Sequence, residues 1–108
     1  MNKQAIQAVQ PCGTMTEVRR CVDALDDVLV PLLVQRTAYM TQAARIKQDV
    51  NVVRDEARIQ TIVDRVRAHA VAEGGEPAVI EALYRSMMEI FIAYEHREFA
   101  RLREGVAA

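Results

Sequence analysis

Apolar residues recur at helical spacing throughout residues 18–46, and this long stretch constrains the fold more than any other feature. Thr14 and Glu17 form the S/T-x-x-E capping pattern just before it, which predicts that a helix starts there. Pro31 lies inside the stretch, where proline removes a backbone hydrogen bond at a cost of about 3 kcal/mol. Because no turn residues flank Pro31, we expect a kinked helix that continues to about Gln48. A break at Pro31 is the alternative.

The rest of the chain predicts two further helices and no strand. The second helix runs from about residue 54 or 55 to residue 72, and the Gly74-Gly75 pair ends it, since glycine favours helix C-termini. The third helix starts at Pro77, a residue suited to the first helical turn, and runs to about Arg103. We therefore expect an all-α protein with three helices.

Composition supports an aliphatic core and excludes several classes of protein. Apolar residues make up 51% of the 108 residues, but aromatic residues only 5%, with no Trp. A net charge of −1 provides no global field for nucleic acid. No apolar run approaches the ~20 residues of a membrane span, and no secretory signal is present, so we expect a cytoplasmic protein without a membrane partner. Residues 1–13 are expected to form a flexible tail, and residues 14–108 one helical domain.

The histidines and cysteines show no pattern of catalysis or metal binding. Cys12 and Cys21 lack metal-ligand spacing and are expected to be free thiols in a reducing compartment. His69 and His96 have no neighbouring ligand at a suitable spacing. We therefore expect no metal site.

The length of the first helix predicts a homodimer. A helix over residues 15–48 is roughly 50 Å long, whereas a compact 100-residue domain has a radius of gyration of about 13 Å. Two shorter helices cannot cover both ends of such a rod, so its apolar side requires a second chain. A break at Pro31 would permit a monomeric bundle instead.

Three cations interrupt the apolar stretch and predict a local site for a small anion. Arg36 and Lys47 are 11 residues apart, which leaves them only about 20° from three full turns, so they share a face roughly 16 Å apart. Arg19 precedes Arg36 by 17 residues and points about 100° away. In a dimer, Arg19 would therefore serve the site of the partner.

Further charged residues in the second and third helices are candidates for the same site. Asp55 and Arg58 are neighbours on one helical face because they are three residues apart. Glu95 lies within four positions of Phe91 and Phe99, so it is a candidate core carboxyl, for which desolvation favours the neutral, hydrogen-donating form. Each residue also has a purely structural interpretation: core-edge packing for Arg36, a helix-end cation for Lys47, an N-cap for Asp55, and solvent exposure for Arg58 and Glu95.

The order of these residues resembles the all-helical chorismate mutase family, including its isochorismate-pyruvate lyase relatives. The resemblance covers about residues 15–104, and spacing matches without a gap from Arg19 to Lys47 and from Arg58 to Glu95. The segments that carry it are Arg19, ALDD at residues 24–27, Arg36, ARIK ending at Lys47, and VRDxxR at residues 53–58. It implies three helices per protomer and an intertwined homodimer in which Arg19 reaches the partner's site.

The resemblance also implies a role for each residue. Arg19 from the partner, Arg36 and Arg58 would hold the carboxylates of chorismate. Lys47 would donate to a carboxylate and to the ether oxygen, and Asp55 would line the side that faces the ring hydroxyl. Glu95 takes the place of a common Gln, the second donor to the ether oxygen. The rearrangement to prephenate, an isomerase reaction of aromatic amino acid biosynthesis, is pericyclic and requires no cofactor.

Two apolar residues depart from a common mutase pattern. Phe91 stands in place of Ser among the substrate-binding residues, and Ile59 stands in place of Glu; both choices are closer to the lyase branch. Asp55 is mutase-like. We favour chorismate mutase over the lyase, which makes salicylate and pyruvate. A non-catalytic helical dimer or binding module is a third interpretation, and it would be supported if Arg36, Lys47 and Arg58 were all solvated.

Overall fold

A computed structural model describes residues 8–107 of the chain, with side chains for residues 8–104. Its elements are, in chain order, α1 (Met15–Ile46), a short 3₁₀ helix (Val50–Val52), α2 (Glu56–Ala72) and α3 (Pro77–Ala107). No strand occurs in residues 8–107, so the predicted all-α class with one long N-terminal helix is confirmed. Residues 1–7 of the expected tail lie outside the described residues, and residues 8–13 have no regular secondary structure.

The start of α1 uses the predicted capping residues. The Thr14 hydroxyl accepts from the Glu17 amide at 3.2 Å, and the Glu17 carboxylate accepts from the Gly13 amide at 2.9 Å. These contacts satisfy amides that the first helical turn leaves without partners. α1 continues through Pro31, so the predicted continuation of the helix is confirmed and the break is not observed. The kink at Pro31 stays a prediction.

The end of α1 comes two residues before the predicted Gln48. The Lys47 amide still donates to the Ala43 carbonyl at 2.9 Å, although Ile46 is the last helical residue. Asp49 then caps the 3₁₀ helix, since its side chain accepts from the Asn51 amide. This local hydrogen bond competes with a further turn of α1 and explains the earlier end.

Both ends of α2 follow from residue type. Asp55 is the N-cap, and its carboxylate accepts from the Arg58 amide at 3.0 Å. At the other end, Gly74 has a φ of 75°, and the Gly75 amide donates to the Ala70 carbonyl at 2.7 Å. This is the Schellman arrangement, in which glycine accepts a left-handed conformation without strain.

The chain divides into two compact units, Met1–Arg36 and Thr37–Ala108. In the first unit, α1 exposes a row of apolar side chains, which we call the α1 stripe: Val18, Val22, Leu25 and Leu29. Their exposed fractions are 36%, 48%, 51% and 48%. Helical spacing places these residues on one side of α1, so the stripe is a continuous apolar surface.

The second unit contains the core, in which α2 packs against α3. Its buried apolar residues come from all parts of the unit: Ala44, Val53, Val63, Val66, Ala70, Met88 and Phe91. Only one is aromatic, in agreement with the predicted aliphatic core. None of the helices described in residues 8–107 combines the length and the apolarity required to cross a membrane.

Candidate active site

Lys47 and Glu95 form a polar pair inside the second unit. Lys47 directly follows α1, and its Nζ lies 2.8 Å from Oε2 of Glu95 on α3. The same Nζ donates to the Val53 carbonyl at 3.3 Å. Glu95 is only 4% exposed, and the Lys47 side chain is 28% exposed. The Lys47 ammonium group therefore joins the end of α1 to the loop that follows it and to α3.

Glu95 lies in the core, as its apolar sequence neighbours suggested. There it makes an ion pair with the Lys47 ammonium group. Sequence neighbours on α3 could not reveal this partner, which is 48 residues away along the chain.

Arg54 holds the loop that presents the Val53 carbonyl to Lys47. Its guanidinium makes two hydrogen bonds with the Glu89 carboxylate on α3, at 2.7 and 3.0 Å, and one with Glu56 at 2.6 Å. These contacts lower the pKa of Glu89 and raise that of Arg54, so both groups stay charged. Val53 itself is 3% exposed, so the loop is held by its buried Val53 side chain as well as by the contacts of Arg54.

Arg103 contacts the end of α1 from α3. Its Nη1 donates to the carbonyl oxygens of Ala44 and Phe99 at 3.0 and 3.1 Å, and its Nη2 donates to the Lys47 carbonyl. The guanidinium carbon lies 3.5 Å from the centroid of the Phe99 ring. Sequence reasoning missed this role, since Arg103 only marked the expected end of the third helix.

Glu98 connects α1 to α3 near the same place. Its Oε1 accepts from the Thr41 hydroxyl at 2.8 Å and from the Tyr94 hydroxyl at 3.3 Å, and Arg101 donates to both carboxylate oxygens. The hydrogen bonds from Arg101, followed by the one from Thr41, lower the pKa of Glu98 to about 2. A partly buried charged network therefore lies one helical turn beyond Glu95.

The remaining predicted residues of the second unit lie on α3 or at the start of α2. Phe91 is buried one turn before Glu95, and Ile59 is half-buried. Asp55 and Arg58 are exposed, and the carboxylate of Asp55 caps α2. Capping alone thus accounts for the residue type at position 55, without any ligand.

Arg19 and Arg36 belong to the first unit, where Arg19 is exposed and Arg36 is half-buried. Lys47 is also half-buried, whereas Arg58 is exposed. The condition for the non-catalytic interpretation was that Arg36, Lys47 and Arg58 are all solvated, and this condition is not met.

Two grooves occur in the described part of the chain. One, of about 660 Å³, is in the first unit and is lined by residues 8–10 and 12 together with Val18, Val22 and Leu25. Another, of about 560 Å³, lies at the turn between α2 and α3, beside His69 and Gly75. Neither is lined by Lys47 or Glu95.

Comparison with known proteins identifies the family. The model of the family described as chorismate mutase type II matches residues 18–96, which is more than half of the chain. The chain belongs to the chorismate mutase type II family. The matched span contains every candidate residue from Arg19 to Glu95, whereas Arg103 lies beyond it. A search of curated proteins found no match.

Membership of the chorismate mutase family supports an activity of the chorismate mutase type and chorismate as the substrate class. Within residues 8–107, no three His, Cys, Asp or Glu side chains are grouped so that they could hold a metal ion. The polar groups that this family member offers are hydrogen-bond donors, cations and carboxylates. The cations and hydrogen-bond donors among them can bind a dianion and stabilise negative charge that develops on an oxygen atom.

Proposed function

We propose that this protein is a chorismate mutase, an isomerase that converts chorismate to prephenate in aromatic amino acid biosynthesis. The observation that carries the proposal is the Lys47–Glu95 pair, which lies within the span matched by the family model. Chorismate carries two carboxylates, and its rearrangement breaks a C–O bond, so charge develops on the ether oxygen. A cation held in a poorly solvated position stabilises this charge more strongly than a solvated one.

Each candidate residue has a defined task in this reaction. Arg36 and Arg58, with Arg19 from the partner, bind the carboxylates, since guanidinium groups match carboxylates with paired hydrogen bonds. Lys47 donates to one carboxylate and to the ether oxygen, and protonated Glu95 supplies the second donor to that oxygen. Asp55 lines the side of the active site that faces the ring hydroxyl of the substrate. Phe91 forms an apolar wall of the same site.

The chemistry requires positioning and electrostatic stabilisation only. In the bound chair-like conformer, the C–O bond breaks while the new C–C bond forms, so no nucleophile takes part. Restricting the substrate to this conformer lowers the entropic part of the barrier. The donors from Lys47 and Glu95 act on the transition state more than on the substrate, because the ether oxygen gains charge only as its bond breaks.

The proposed active unit is a homodimer, and the α1 stripe supports it. The stripe exposes between 36% and 51% of each of its four side chains. A contiguous exposed apolar surface of this kind marks an interface. A second α1 would cover it, and Arg19, which is exposed on the same half of α1, would then complete the partner's site.

Isochorismate-pyruvate lyase is a second candidate, favoured by two residues. Ile59 is half-buried and Phe91 is buried, at positions where a common mutase pattern has Glu and Ser. These side chains offer no hydrogen bond to a hydroxyl or a carboxylate. The lyase reaction breaks the same kind of C–O bond, so the Lys47–Glu95 pair would serve it equally.

A product analysis separates the candidates. The purified protein is offered chorismate and isochorismate in separate reactions, and the products are identified by chromatography and mass spectrometry. We expect prephenate from chorismate. Salicylate and pyruvate from isochorismate, without prephenate from chorismate, would replace the mutase with the lyase. If neither substrate reacted with the folded protein, the non-catalytic dimer would become the preferred interpretation.

A further inference from the structure

The C-terminal end of α1 has carbonyl groups that the helix itself cannot satisfy. The last four carbonyls of any α-helix lack intrahelical partners and carry partial negative charge. Arg103 satisfies two of the carbonyls in this region, those of Ala44 and Lys47, from one guanidinium group. The ring of Phe99 supports the guanidinium at 3.5 Å and thereby restricts its orientation.

Lys47 is consequently held from two directions by the same helix. Arg103 binds its backbone carbonyl, while Glu95 binds its Nζ at 2.8 Å. Glu95 and Arg103 are eight positions apart on α3, or slightly more than two helical turns. A shift of the α1 end would move the ammonium group relative to Glu95, because the Lys47 backbone is the base of that side chain.

We propose that Arg103 is a positioning residue for Lys47, which fixes the end of α1 so that Nζ is held at the place where charge develops. The proposal rests on the proposed function. Arginine suits this task better than lysine, because its planar fork reaches two carbonyls at once and stacks on an aromatic ring. Arg103 touches no reacting atom in the proposed mechanism, so it acts only through Lys47.

The test compares Arg103→Ala and Arg103→Lys with Arg101→Ala. Arg101 is a matched control on α3, since its guanidinium also donates hydrogen bonds, two in number, but only to Glu98. We expect Arg103→Ala to lower kcat on the order of 10- to 100-fold, as for a misplaced catalytic group, with a smaller change in KM. Arg103→Lys should recover part of the loss, and Arg101→Ala should change kcat little.

A second readout does not depend on activity. The side-chain resonances of Lys47, assigned by NMR in the wild-type protein, should shift in Arg103→Ala and stay in place in Arg101→Ala. If the wild type turns over neither substrate, the proposed function fails, while these resonances still test the contact. Unchanged Lys47 resonances and unchanged kcat in folded Arg103→Ala would overturn the proposal. If Arg103→Ala does not fold, the same comparison is made with Arg103→Lys.

A different observation concerns Cys12 and Cys21 in the first unit. Their Sγ atoms lie 4.0 Å apart, and both residues are exposed. Cys21 lies in the second turn of α1, while Cys12 lies in the non-helical segment before α1, where its thiol also contacts the Gln10 carbonyl at 3.6 Å. A disulfide requires an S–S distance of about 2.05 Å, so a shift of about 2 Å in the non-helical segment would suffice.

We infer that Cys12 and Cys21 form a site for oxidation to an intramolecular disulfide by a hydroperoxide. One thiolate attacks the peroxide O–O bond and becomes a sulfenic acid, and the second thiolate attacks that sulfur and expels hydroxide. The two thiols lose two electrons and two protons, and hydrogen peroxide is reduced to two water molecules. The bond would tie the segment at residues 8–12 to α1, beside the groove that this segment forms with the α1 stripe.

Hydrogen peroxide treatment of the reduced protein tests this site. We expect loss of both thiols, an intact mass lower by two hydrogen atoms, a Cys12–Cys21 linkage in the peptide map, and a rate independent of protein concentration. Cys12→Ser and Cys21→Ser should instead accumulate sulfenic acid that a dimedone probe captures. Disulfides between chains, or thiols that persist in the wild type while a single-cysteine variant is oxidised, would overturn the inference.

Discussion

Glu95 is buried against Lys47, and this contact determines what the glutamate can do. As a carboxylate it orients Lys47, but it can donate to an ether oxygen only after it takes up a proton. The proposed reaction therefore requires a hydrogen on the side chain at position 95.

Substitution of Glu95 by Gln tests whether the neutral form is the active one. The amide keeps the size of the side chain and always has a hydrogen to donate, so we expect Glu95→Gln to retain mutase activity. Glu95→Ala should lose roughly 100-fold in kcat, or about 3 kcal/mol. Loss of activity in Glu95→Gln, measured by prephenate formation, would contradict the assignment.

The sequence identifies the candidate residues better than it identifies the hydrogen bonds that position their side chains. Lys47 was predicted from its helical spacing with Arg36, and Glu95 from its apolar neighbours, and the order of both also resembles a family pattern. The Val53 carbonyl and Arg103 were missed, because a backbone acceptor has no residue type and Arg103 looks like any helix-end cation. Contacts such as Arg103–Ala44 span 59 residues, and helical periodicity does not report on them.

At the scale of the elements, helix bounds follow from local chemistry and were largely predictable. Capping by Thr14, Asp55 and the Gly74-Gly75 pair is encoded within a few residues, so sequence alone identifies it. Pro31 was the uncertain point, and α1 passes through it. The end of α1 was predicted two residues late because apolar periodicity does not reveal the Asp49 cap of the 3₁₀ helix.

Gly74 supplies a test of the α2–α3 turn. Its φ of 75° is unfavourable for a residue with a Cβ, so we expect Gly74→Ala to lower the free energy of unfolding by about 1 kcal/mol. Gly13→Ala is the matched control, since Gly13 has no positive φ and a Cβ there would meet nothing within 4 Å. Urea denaturation compares the two variants, and equal stabilities would contradict the requirement for glycine at position 74.

The Glu98 link between α1 and α3 predicts a dependence of stability on pH. Its pKa is about 2, below the usual 4.5, so its contribution is complete above the usual value and is lost as pH falls towards 2. Glu98→Gln should therefore be destabilising at about pH 7, and the difference from wild type should shrink at about pH 3. The difference in stability between Glu98→Gln and the wild type is measured from their melting temperatures at both pH values.

A control for the pH experiment is Glu104→Gln, an exposed residue on the same helix. Its effect on the melting temperature should be small at both pH values, because solvated charges contribute little. If the Glu98→Gln difference stayed constant between the two pH values, the depressed pKa of Glu98 would not be the cause of the stabilisation.

At the scale of the whole molecule, the α1 stripe is an apolar surface that one chain leaves exposed. The predicted length of α1 gave the expectation that its apolar side requires a second chain. Its premise of two shorter helices holds clearly only for α2, since α3 has 31 residues and α1 has 32. The exposed fractions of Val18, Val22, Leu25 and Leu29 agree with that expectation. The dimer itself stays a proposal, and Arg19 provides its most specific test.

Arg19→Ala and Lys47→Ala together test whether two chains share each active site. Each variant alone should be inactive, since every site then lacks either the partner's Arg19 or its own Lys47. After subunit exchange, about half of the dimers are mixed, and each mixed dimer has one site with both residues intact. We therefore expect mixing to restore about a quarter of the wild-type kcat.

The double variant Arg19→Ala/Lys47→Ala, mixed with wild type, is the control. Its mixed dimers hold no intact site, so the double variant should only lower the activity. Exchange is verified by mass spectrometry of isotopically labelled chains. Mixed dimers without restored activity would show that Arg19 does not act across the interface.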